Sequence, residues 1–201
     1  MKKLFKTLMF TSLSALILTC AVIADDSPES TSPFRPDEIS LRYGYNFAEL
    51  SPVNKNTDLK MDLILVDLGY KMNDLLHLGD HKGTIQFVVE PFFTFFRDPE
   101  QTYGGGLVFL FNYSYPVTQR WALYGELGAG PMYFGAETYE QEKVGFNFFD
   151  QGGGGVRFKV DDNKILSLGY RRTHVSDLDL RDLRNGGITG DMILGGITLL
   201  Y

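Results

Sequence analysis

Near the carboxyl end of the chain, "YRRTHVSDLDL" (Tyr170 to Leu180) sets a histidine and a serine two residues apart, beside two arginines. A serine hydroxyl is a weak nucleophile until a base within hydrogen-bond reach takes its proton. Side chains i and i+2 of a strand project from the same face, so His174 can be that base for Ser176 without any long-range coincidence of folding. The base needs an acceptor on its other ring nitrogen, and a carboxylate serves best because it also stabilises the imidazolium. Asp191, on the next apolar segment, is the expected orienter, with Thr189 sharing its parity. His174, Ser176 and Asp191 are therefore the candidate catalytic residues, and the chemistry is nucleophilic acyl transfer. A His-x-Ser tripeptide also arises by chance, so on spacing alone two ordinary residues at a strand end remain an open alternative.

The elements that would position these residues begin after an export signal. Residues 1–24 carry Lys2, Lys3 and Lys6 ahead of an apolar stretch, then Val22-Ile23-Ala24 before an acidic segment, the pattern of a cleaved secretory signal. Cys20 stands where a lipoprotein signal places its modified cysteine, but Thr19 before it is bulkier than the usual small residue. Cleavage after Ala24 removes the only cysteine and three of 19 basic side chains, and moves the formal charge from −6 to −9. Nucleic acid is thereby set aside as a partner, since phosphate neutralisation needs clustered Lys and Arg. Residues 25–37, "DDSPESTSPFRPD", have no period and read as a flexible lead-in.

From residue 38 to 201 the dominant signal is alternation. Leu41, Tyr43, Tyr45 and Phe47 alternate with Arg42, Gly44 and Asn46; Ile64, Val66, Leu68 and Tyr70 alternate with Asp67 and Gly69. In "TIQFVVEPFFTFF" Pro91 falls on the apolar series and lacks a ladder donor, so a bulge or an irregular pair is expected there. "GLVFLFNYSY" is the cleanest alternation, "WALYGELGAGPMYF" follows, and "FNFFDQGGGGVRFKV" contains Gly152 to Gly155, read as a bent or closely packed strand. With "ILSLGYRRTHVS" and "DMILGGITLLY" the count reaches eight.

Such segments, joined by alternately short turns and longer polar loops, describe an all-β, eight-stranded antiparallel transmembrane β-barrel. No later stretch is a long unbroken apolar run, so a spanning helix is excluded, and a closed sheet is the other structure that satisfies every backbone group in lipid. A soluble sandwich or ligand-binding barrel would also alternate, but its outer face would carry most of the charge. Here the non-apolar face is Gly, Ser, Asn, Thr and isolated Glu or Arg, which suits a narrow filled lumen. Eight strands leave little room for a transport pore.

Parity then locates the pair. Leu166, Leu168 and Tyr170 are the apolar series of the seventh strand, so Arg172, His174 and Ser176 face lipid, while Ser167, Gly169, Arg171 and Thr173 face inward. With a periplasmic amino terminus, this end of the strand lies in the outer leaflet. His77 and His81 in "HLGDH" have the spacing of a helical metal pair but fall in an inner turn, and no metal or cofactor is expected.

The segment "GYRRTHVSDLDLRDLRNGGITGD" (Gly169 to Asp191) resembles the lipid A 3-O-deacylase family of small outer-membrane barrels, with its His-x-Ser-Asn and Asn-x-Gly-Ile pattern. "VVEPFF" (Val88 to Phe93), "GELGAG" (Gly125 to Gly130) and "FNFFDQGGGG" (Phe146 to Gly155) extend the likeness more weakly. The resemblance implies an eight-stranded barrel in the outer membrane of a Gram-negative bacterium. It implies a site on the lipid-facing wall, with His174 as base and Ser176 as nucleophile. The substrate would be lipid A within lipopolysaccharide, hydrolysed at the ester of a 3-hydroxyacyl chain. Arg171, Arg172, Arg181 and Arg184 lie near enough in sequence to meet lipid A phosphates, a solvated or lumenal charge being the plainer reading of each.

Two positions depart from the family pattern. The asparagine after the serine is Asp177 here, and an ionised carboxylate repels a developing oxyanion, which leaves the backbone N–H groups of Asp177 and Leu178 as donors. The family's acidic third member aligns with Thr189, with Asp191 two residues on. A non-catalytic barrel with a structural or binding role is the alternative, and the oligomeric state is not legible.

Overall fold

The computed structural model describes residues 35–48, 59–79, 81–98, 100–138, 144–177 and 187–201. The unit running from Pro36 to Tyr201 is a closed antiparallel barrel. Its strands are β1 (Glu38–Ala48), β2 (Lys60–Lys71), β3 (Thr84–Asp98), β4 (Thr102–Pro116), β5 (Trp121–Phe134), β6 (Gly145–Lys159), β7 (Lys164–Ser176) and β8 (Ile188–Leu200). Each pairs with its sequence neighbour, and β1 closes against β8 from Glu38↔Leu200 to Asn46↔Met192. Strands of 11 to 15 residues are long enough to cross a bilayer at a tilt. Among the described residues no helix could do so.

Alternation explains the wall. Odd positions of β1, β4 and β5 and even positions of β7 point outward, leaving Leu127 71 % and Phe111 62 % exposed, an outer surface no aqueous protein would keep. Pro91 sits in this wall without a bulge. The β2–β3 ladder lapses at Val66 and Asp67, opposite Pro91 and Glu90, and resumes in the same register, an irregular pair of the expected kind. The glycine run is closely packed within a continuous β6: a Cβ on Gly155 would stand 2.9 Å from Tyr124 Cε1, so the run makes room for a lumenal tyrosine.

The lumen is full. Arg171, wholly buried, donates from Nη1 and Nη2 to Glu90 at 2.8 and 2.7 Å and from Nε to Glu126 Oε1 at 2.6 Å. Arg42 donates to Glu126 at 2.9 Å and to Asp67 at 3.0 Å, and Gln151 Nε2 donates to Glu90 at 2.6 Å. Six of the eight strands are tied by this one network. The expectation of a polar filling is corrected above it: Met61, Leu63, Leu65, Phe96, Phe134, Phe149, Val175 and Met192 form a buried apolar plug toward the end that carries the β1–β2 and β7–β8 connections. On β2 the outward Ile64 and Val66 are as apolar as the inward Leu63 and Leu65, so alternation hides which face is inside.

Connections at one end run over residues 72–83, 117–120 and 160–163, and at the other over 49–59, 99–101, 135–144 and 177–187. The first and the 99–101 link depart from the expected alternation of short and long. His77, with φ of 53°, pairs its Nδ1 with Asp74 O at 3.0 Å, while His81 Nε2 meets Tyr113 Oη at 3.0 Å, so the two histidines of the 72–83 turn are engaged separately.

Candidate active site

β7 delivers His174 and Ser176 at its carboxyl end. The strand's inward residues Arg171 and Thr173 are buried, Arg172 is exposed on the outer wall, and His174 is half-buried on that same side. Arg171's ties to Glu90 and Glu126 therefore fix which way the whole strand end faces. Of the two readings open for Arg171 the lumenal one holds: it lies inside the barrel and cannot meet a lipid phosphate. Arg181 and Arg184 lie outside the described residues.

The β7–β8 ladder pairs His174 with Thr189, Arg172 with Asp191 and Tyr170 with Ile193. His174 Nδ1 accordingly lies 2.9 Å from Thr189 Oγ1. Asp191, the expected orienter, stands one pairing position deeper, where its Oδ1 accepts from Tyr170 Oη. Its other oxygen is buried without a hydrogen-bond partner among the described residues. Parity places both residues on the wall; register decides between them, and it brings Thr189 to the imidazole.

Ser176 pairs with Phe148 of β6 and is 8 % exposed; Asp177 after it is buried. Side chains i and i+2 on a strand start about 7 Å apart at their roots. Among the described residues no hydrogen bond joins His174 to Ser176, an arrangement common in sites that tighten only on substrate.

Two further residues border the imidazole. Asp150 of β6 is directly opposite His174 on the strand's other side, so the histidine stands between Asp150 and Thr189. Its signal in the sequence is an acid on the lipid-facing parity of Phe146 and Phe148, where charge is costly unless it serves a purpose. Gly187, just before β8, has φ of 60° and abuts the ring: a Cβ there would stand 2.5 Å from His174 Cε1 and 2.9 Å from Nε2. Asp150, Arg172 and Asp191 thus cluster on three adjacent strands of the outer wall, away from its other charged pair, Asp62 with Arg97 on β2 and β3.

A barrel with a histidine, a serine and ionisable groups on its outer wall narrows the kinship, and a family model settles it. The lipid A 3-O-deacylase (PagL) model matches residues 40–197, nearly the whole barrel. The chain belongs to the lipid A 3-O-deacylase family. It is an outer-membrane protein of a Gram-negative bacterium. Among solved structures, the crystal structure of the outer membrane enzyme PagL is similar to it, with a TM-score of 0.54 and 15 % identity, covering 78 % of this chain and 97 % of that one. Neisserial surface protein A is as similar in fold, with a TM-score of 0.54, 13 % identity and coverage of 82 % and 96 %. At such identities the likeness is one of fold. No curated protein matches the chain in sequence. In this chain a hydroxyl, Thr189, stands at the imidazole and an acid, Asp177, follows the serine.

Proposed function

We propose that this family member is a serine esterase of the outer leaflet, hydrolysing the ester that joins a 3-hydroxyacyl chain to the glucosamine of lipid A. The observation that carries the reading is the placement of His174 and Ser176 on the same lipid-facing side of β7, with Nδ1 held by Thr189. With Nδ1–H donating to Oγ1, Nε2 bears the lone pair and is the nitrogen able to take a proton. Ser176 Oγ attacks the ester carbonyl carbon and passes its proton to Nε2. The carbon–oxygen bond to the sugar breaks, and Nε2–H protonates the departing alkoxide. Water then attacks the acyl-serine, giving a proton to Nε2, and the acid leaves as Ser176 recovers its hydrogen. Products are lipid A short of one acyl chain and a free 3-hydroxy fatty acid.

Among the described residues Arg172, exposed on the same face, is the guanidinium best placed to meet a substrate phosphate, which it can bind with two parallel hydrogen bonds. A carboxylate at 177 favours backbone N–H groups over its own side chain as oxyanion donors.

Incubating the refolded protein with lipid A in detergent and following the lipid's mass tests the function. The expected result is loss of one 3-hydroxyacyl unit, with the hydroxy acid released; a lipid of unchanged mass sinks the proposal. The second reading, a barrel of this family with a structural or binding role, is favoured by the neutral Thr189 and by Asp177, and unchanged mass is its expected result.

A further inference from the structure

A second charged group stands on the outer wall, at the end of β1, β2 and β3 that carries the 49–59 and 99–101 connections. It begins with a bulge: Lys60 pairs with Asp98 and Met61 with Phe96, so Arg97 is one residue more than β2 can match. Bulges of this kind re-aim a side chain. Here the Arg97 guanidinium reaches back to β1, where its carbon lies 5.9 Å from the centre of the Tyr45 ring. Asp62 of β2 accepts from Arg97 Nε through Oδ2 and from Tyr43 Oη through Oδ1. The carboxylate is engaged at both oxygens and its side chain is 13 % exposed, while the arginine side chain is 52 % exposed. Among the described residues nothing accepts from Nη1 or Nη2 of Arg97. The neighbouring cation, Lys60, is answered by Asp98 at 3.0 Å. Arg97 is therefore fixed in orientation by its Nε and its ring contact, and keeps the paired Nη donors that suit a phosphate.

Register relates this guanidinium to the candidate active site. Tyr45 pairs with Ile193 of β8, and Ile193 with Tyr170 of β7, two residues before Arg172. From the usual strand spacing and rise per residue, Arg172 is rooted about 10 Å across the wall and about 7 Å along it from Tyr45. A disaccharide with a phosphate at each end, the head group of lipid A, reaches over a span of that order. Resting on the serine-esterase reading, we propose that Arg97 is a second phosphate-binding residue of the site, taking the phosphate on the sugar that does not carry the cleaved chain. Arg172, two residues from His174, takes the phosphate on the sugar that does. Two anchors on either side of β8 hold the sugar pair across the wall and keep the ester at Ser176. Arg97 makes and breaks no bond.

Arg97→Gln tests this, and Arg97→Lys accompanies it, keeping the charge and losing the paired donors. Folding is read from heat-modifiable migration in SDS gels. The probes are lipid A, lipid A stripped of the phosphate on the uncleaved sugar, and lipid A stripped of the other phosphate. Each is presented well below one molecule per detergent micelle, so that phosphate and ester belong to the same molecule. Removing the phosphate of the uncleaved sugar is expected to lower wild-type kcat/KM about tenfold, chiefly through KM, as loss of a charge-assisted hydrogen bond does. Arg97→Gln is expected to show that loss already on intact lipid A and nothing further without this phosphate, while still discriminating against the lipid that lacks the other. Arg97→Lys falls between the two. A folded variant that turns over intact lipid A at the wild-type kcat/KM, or that keeps the wild-type preference for this phosphate, overturns the proposal. The same comparison is made on retention of the three lipids by immobilised protein, which needs no turnover. In a wild type that leaves lipid A intact, retention that depends on both Arg97 and the phosphate keeps the site and discards the esterase reading. Equal retention of the three lipids by wild type and Arg97→Gln overturns the site.

Discussion

His174 Nδ1 and Thr189 Oγ1 lie 2.9 Å apart, across the directly paired position of the β7–β8 ladder. A hydroxyl there holds the ring's orientation, but it brings no charge to the imidazolium that forms when the base takes a proton. The site is thus oriented without being electrostatically completed on that side.

Replacing Thr189 separates those two contributions. Thr189→Val keeps the shape and removes the hydrogen-bonding hydroxyl, and kcat is expected to fall about tenfold or more, since a free ring loses its orientation. Thr189→Glu supplies orientation and charge together, and a several-fold rise in kcat is expected. Steady-state release of 3-hydroxy fatty acid measures both; a fall in the glutamate variant contradicts the assignment.

Asp191 is engaged with Tyr170 and pairs across from Arg172. Asp191→Asn is expected to leave kcat within about threefold of wild type, where loss of a triad carboxylate would cost several orders of magnitude. A collapse of kcat in a variant that folds would return Asp191 to the histidine.

On the other side of the ring, Asp150 is the carboxylate directly opposite His174. Directly paired side chains begin about 5 Å apart, close enough for the carboxylate to interact with positive charge that develops on the ring during turnover. Asp150→Asn is expected to lower kcat several-fold at unchanged KM. An altered KM at constant kcat would assign Asp150 to substrate binding.

The lumenal network is expected to dominate stability. Arg171→Met leaves Glu90 buried without its counter-charge, a change that costs about 3–5 kcal/mol. Because Arg171 also sets the facing of the strand end that carries His174, activity and fold should be lost together as urea rises. The urea midpoint of unfolding in detergent measures it, and a midpoint equal to wild type contradicts the role.

Much of this architecture is written in the period-2 pattern. Leu41-Tyr43-Tyr45, the Phe109-Phe111-Tyr113 series and Leu166-Leu168-Tyr170 identify strands and their outer faces, and the same parity puts Arg171 inside and His174 outside. Three features escape a parity argument. Met61, Leu63 and Leu65 face inward on a strand whose other face carries Ile64, Val66 and Leu68, so alternation is weak there and the upper plug goes unread. Thr189 and Asp191 share one face, and only the cross-strand register, set by a connection over residues 177–187, chooses between them. Asp150 comes from the far side of β7, where no local spacing links it to the histidine. Faces are local properties of a strand; partners are properties of the closed sheet.

The central claim is that Ser176 is the nucleophile and His174 its base. Treating the folded protein with an alkyl fluorophosphonate and mapping the adduct by peptide mass tests it most directly, because only an activated serine displaces the fluoride. The account predicts an adduct on Ser176 in wild type and none in His174→Ala. A wild-type protein that deacylates lipid A yet takes no adduct at Ser176 would contradict it.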